Sequence, residues 1–93
     1  EDGLIVVVTT IDTASGELVA GPDIVSRGFV YVRESEQLIE EAKNRAREVL
    51  EECCREHTLD WSTMKSRLRD ELSHLLFQKT KRSPMILPII MDV

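Results

Sequence analysis

Two histidines, two adjacent cysteines and seventeen carboxylates are the residues of this 93-residue chain with the means to do chemistry. A metal site needs ligands that converge, and the spacing offers no H-x-H, H-E-x-x-H or C-x-x-C pair. His57 and His74 are read instead as a solvated helix-end residue and an exposed or rim residue. Cys53 and Cys54 would point about 100° apart on a helix, so a bond between them would distort the backbone. The expectation is a reduced pair, Cys53 buried and Cys54 near the surface. A cysteine nucleophile beside His57 lacks an orienting group and an oxyanion site. Glu40, Glu41, Glu48, Glu51 and Glu52 alternate with Lys43, Arg45, Arg47 and Arg55, the pattern of a solvated helix face pairing locally. No catalytic residue, metal ligand or cofactor is assigned to the chain on this reading.

Phosphate binding is the remaining chemistry, and "GPDIVSRGFVY" (residues 21–31) is the segment to test for it. It matches neither G-x-x-x-x-G-K-[ST] nor G-x-G-x-x-G, and it does not open a helix whose N-terminus could hold an anion. As an RNA-stacking platform it would use Arg27, Phe29 and Tyr31, which share one face of a strand. Phe29 and Tyr31 fit better as core or interface anchors.

The elements that must position these residues follow from periodicity. "GLIVVVTTID" is rich in β-branched residues and reads as a strand. Leu4, Val6 and Val8 lie on one face, and Ile5, Val7 and Ile11 on the other. "TASGE" is a turn in which Gly16 can take a positive φ. "ELVAGPDIVSRGFVYV" returns as a second strand, put at an edge or a break by Pro22, with Gly28 as a bulge or bend. A helical period over 36–56 follows, with Ser35 as its expected N-cap. A second helix over 61–80 is capped by Asp60, stapled by Leu59 on Met64, and carries Trp61, Met64, Leu68, Leu72, Leu75 and Leu76 as its apolar stripe. Lys79, Lys81 and Arg82 suit the negative end of that helix. "MILPIIMDV" is a last strand, marked as an edge by Pro88.

The order β-β-α-α-β predicts an α/β two-layer sandwich: a three-stranded mixed sheet, order 2-1-3, with two antiparallel helices on one face. Both faces of the first strand are apolar, so one face lacks a cover. That face would expose Ile5, Val7 and Ile11, or their opposites; Ile5, Val7 and Ile11, with Phe29 and Tyr31, are taken as the expected interface residues, and another domain or subunit is the expected cover.

Length allows one domain. The net charge of −5 argues against strong non-specific nucleic-acid binding. Residues 34–57 carry eight acids and four bases, whereas residues 58–83 carry three acids and six bases. Arg27, Lys79, Lys81 and Arg82, with Arg33 near them, are the candidate RNA contacts. No apolar run reaches the ~18 residues of a membrane span, and no secretory signal is visible. The chain opens on Glu1, and the expectation is that it is a piece of a longer one.

"GPDIVSRGFVYVRESEQLIEEAK" and "KTKRSPMILPIIMDV" together closely resemble the C-terminal domain of bacterial ribonuclease J. The likeness spans nearly the whole chain, though 48–70 match mainly in helical pattern. The resemblance implies a cytoplasmic parent that is a metal-dependent ribonuclease, with a metallo-β-lactamase domain and an inserted β-CASP domain. Such an enzyme cuts RNA endonucleolytically and degrades it 5′ to 3′ in RNA maturation and decay. Its zinc and catalytic residues would lie in the metallo-β-lactamase domain, whose H-x-H-x-D-H motif is absent here. The family's small C-terminal domain implies a three-stranded sheet against two helices, linked to homo-oligomer assembly and full activity. Three functions follow as expectations: a non-catalytic assembly domain of such an enzyme, an RNA-contacting accessory domain, or a free-standing interaction module that dimerises through its sheet.

Overall fold

The computed structural model describes residues 2–28 and 35–93. Five elements run in the predicted order: β1 (Leu4–Asp12), β2 (Glu17–Arg27), α1 (Ser35–Arg55), α2 (Trp61–Thr80) and β3 (Met85–Asp92). The sheet has the order β2-β1-β3, antiparallel between β1 and β2 and parallel between β1 and β3. Strand β1 is thus the centre of the sheet, and the return to β3 requires the helical crossover that α1 and α2 supply.

The β1–β2 connection closes where the backbone needs a left-handed residue. Gly16 takes φ +76°, and its N–H donates to the Asp12 carbonyl at 2.7 Å. Asp12 Oδ1 accepts from the N–H groups of Ala14 and Ser15 within the same turn. Further along β2 the register shifts opposite Val8–Thr10, at Gly21 and Pro22. Gly21 has φ +88°, and a Cβ there would lie 2.7 Å from the Val8 carbonyl oxygen. The irregularity leaves the Ala20 carbonyl to be satisfied from the side: the buried Thr9 hydroxyl donates to it at 3.0 Å. The bulge expected as one option at Gly28 therefore sits at Gly21–Pro22, and Gly28 forms a bend just past β2.

Among the described residues β3 pairs with β1 on one edge and with no strand on the other. Met85 N–H donates to the Gly3 carbonyl and Val93 N–H to the Ile11 carbonyl. Strand N–H groups alternate in direction, so the odd-numbered residues bond to β1 and the even-numbered ones face outward. Pro88 is even-numbered, so its missing N–H removes no bond to β1 and blunts the exposed edge.

Helix α1 buries Leu38, Ala42, Ala46, Val49, Leu50 and Cys53, and α2 buries Met64, Leu68, Leu72, Leu75 and Leu76. These meet Ile5, Val7, Ile11, Ile86 and Ile90 from the sheet in one core. The ion pairs Glu41–Lys79, Arg45–Glu71 and Arg67 with Glu52 and Glu56 match early α1 to late α2, so the helices run antiparallel. Half-exposed pairs of this kind are worth about 0–1 kcal/mol each and align the helices more than they hold them.

The helix ends are built from ordinary residues. His57 takes φ +57° and donates to the Cys54 carbonyl, while Thr58 N–H reaches the Cys53 carbonyl. This is the Schellman stop, with an exposed histidine at the position glycine usually holds. Asp60 caps α2 as expected: Thr63 N–H and Thr63 Oγ1 both donate to its Oδ2, at 3.0 and 2.7 Å. Lys81 ends α2 in the left-handed region and donates to the Phe77 carbonyl. Trp61 departs from the expected stripe. It begins α2 and is 36% exposed, with the Lys65 ammonium 5.9 Å from its ring centre.

Two stability predictions follow. Thr9→Val keeps the shape of the buried side chain but strips the Ala20 carbonyl of its donor. It should lose about 1–3 kcal/mol in chemical denaturation, with Thr10→Val on the opposite face near neutral. Hydrogen bonds from the Thr63 hydroxyl and N–H hold the Asp60 carboxyl below its ordinary range. A depressed folded-state pKa gives stability that is present above the ordinary carboxylate pKa and lost as pH falls through the folded value. Asp60→Ala should therefore lower Tm at neutral pH, and the difference from the parent should close in acid.

Candidate docking face

Alternation along the strands divides the sheet into two chemically similar faces with opposite fates. Ile5, Val7 and Ile11 are 0% exposed beneath the helices. They are core residues, which corrects their expected place in an uncovered interface. The expected interface residues Phe29 and Tyr31 lie outside the described residues. The face without a cover is carried by the opposite set.

The paired registers lay that outer face out in rows. Arg27, Leu4 and Met85 form the first, then Val25, Val6 and Leu87, then Asp23, Val8 and Ile89, then Ala20, Thr10 and Met91. Met85 is 68% exposed, Leu87 45%, Ile89 38% and Met91 46%. Val25 is exposed as well, while Leu4, Val6 and Val8 are half-covered by their neighbours. Over these four rows three adjacent strands present a nearly continuous apolar surface with two charges, Arg27 and Asp23, both on β2, and the next row carries Asp12 and Glu17. A contiguous apolar patch of this kind marks an interaction surface. Its residues were visible in the sequence, but both parities of β1 are apolar. The one signal for the outer set was that it ends in Thr10 and Asp12, where the inner set ends in Ile11.

The candidate RNA contacts gather at one end of the molecule. Arg27 ends β2, Lys79 lies in the last turn of α2, and Lys81 and Arg82 precede β3. Lys79 pairs with Glu41 at 3.6 Å. The Lys81 ammonium lies 5.4 Å from the centre of the exposed Phe77 ring. Arg82 N–H donates to Thr80 Oγ1, which itself donates to the Leu76 carbonyl. Lys79, Lys81 and Arg82 therefore finish α2 and tie it to α1.

No catalytic constellation forms among the described residues. A groove of about 500 Å³ between the helices is lined by Arg45, Glu48, Glu52, Arg67, Asp70 and Glu71 among others. The ion pairs of Arg45 and Arg67 cross it. Among the described residues no three of His, Cys, Asp and Glu converge on a point that could hold a metal ion. Cys53 is buried and Cys54 half-buried, both as thiols. Burial pushes both pKa values up, and Glu51 adds to the shift at Cys54. Fewer thiolates form as a result, the opposite of what a reactive cysteine needs. No helix among the described residues is long and apolar enough to cross a membrane.

The two faces should respond oppositely to substitution. Ile5→Ala should cost about 2–5 kcal/mol in chemical denaturation. Leu87→Lys on the outer face should leave the stability of the chain within about 0.5 kcal/mol of its parent.

Known proteins match over the whole of this fold. The family model described as "Ribonuclease J C-terminal domain" matches residues 1–93. A ribonuclease J 2 of Staphylococcus epidermidis is 48% identical over 93 residues, and one of Staphylococcus aureus is likewise 48% identical. All of this chain is covered in both matches, but the chain spans only 17% of the length of those relatives. With identity at that level from β1 to β3, the chain belongs to the ribonuclease J C-terminal domain family.

Proposed function

We propose that this chain is the non-catalytic assembly and support domain of a ribonuclease J enzyme. The uncovered apolar face of the sheet carries the reading. A core made by β1 and two helices is complete without that face, yet three strands present Val6, Val25, Leu87, Ile89 and Met91 on it. Water is a poor neighbour for such a surface, and another protein surface is a good one. The parent chain would process and degrade RNA in the cytoplasm, by endonucleolytic cuts and 5′-to-3′ digestion. The zinc and the hydrolytic residues would belong to its other domains. This domain would seat against those domains or against another subunit and hold the enzyme in its active assembly.

Direct RNA contact through Arg27, Lys79, Lys81 and Arg82 is the weaker reading. The chain is acidic, and Lys79 and Lys81 already have partners within the fold.

The test compares the full-length enzyme with versions that lack this domain or carry Leu87→Lys together with Ile89→Lys. Light scattering gives the assembly, and cleavage of a labelled RNA gives the activity. Both altered enzymes should lose mass or activity while the lysine variant keeps a folded domain. Zinc-dependent RNA cleavage by the 93-residue chain alone would refute the proposal, as would full assembly and activity in both altered enzymes.

A further inference from the structure

We draw no further inference here: the strongest candidate, the groove between α1 and α2 outside the docking face already described, carries nothing because Arg45 and Arg67 in it are held by Glu71, Glu52 and Glu56 of the opposing helix, and no buried side-chain polar atom among the described residues is left without a partner to point to a ligand.

Discussion

Strand β1 is paired on both edges and apolar on both faces, and the two helices can cover only one of those faces. The rest of the domain follows from that constraint. Pairing on both edges makes β1 the strand around which β2 and β3 register. The parallel arrangement of β3 needs a crossover, and α1 and α2 together form it as an antiparallel pair. Ile5, Val7 and Ile11 then vanish beneath Leu50, Met64, Leu68, Leu72 and Leu76. The surplus of apolar surface on the far side is the consequence for function. Among the described residues no further element lies over it.

Local chemistry among the described residues serves this frame. Among the described residues Thr9 is the buried polar residue of the core face, and it is there because the bulge of β2 leaves a carbonyl in need of a donor. The arginines between the helices are held by carboxylates of the opposing helix. Those bonds set the helix register and leave the groove with charges already matched. The cysteines sit where burial keeps them as thiols. These arrangements fit a domain whose contribution is a surface, and membership of the ribonuclease J C-terminal domain family fits them in turn.

Much of the architecture was legible residue by residue. The helical stripes from Leu38 to Cys53 and from Met64 to Leu76 gave α1 and α2 nearly to their ends, because a buried helix face must repeat every 3.6 residues. Asp60 announced its cap because few side chains can accept from the first free N–H groups of a helix. Pro88 marked an edge because proline has no N–H for an inner ladder. Trp61 misled because a stripe position in the first turn of a helix has no preceding turn to bury it, and it stands 36% exposed. Gly28 drew attention from Gly21, whose φ and closeness to the Val8 carbonyl become visible only once β2 is paired.

The sequence by itself determined the elements, their order, the central place of β1 and the family. Each of these rests on periodicity, on backbone chemistry or on motifs that are local along the chain. Only the tertiary structure decided which face of β1 is core. Alternation separates Leu4, Val6 and Val8 from Ile5, Val7 and Ile11 but does not rank them, since both sets are apolar. The side taken by the helices ranks them, and that depends on how the crossover wraps the sheet. The rows that set Arg27 and Asp23 on either side of Val25 likewise exist only in the folded sheet, where alternation and strand pairing combine.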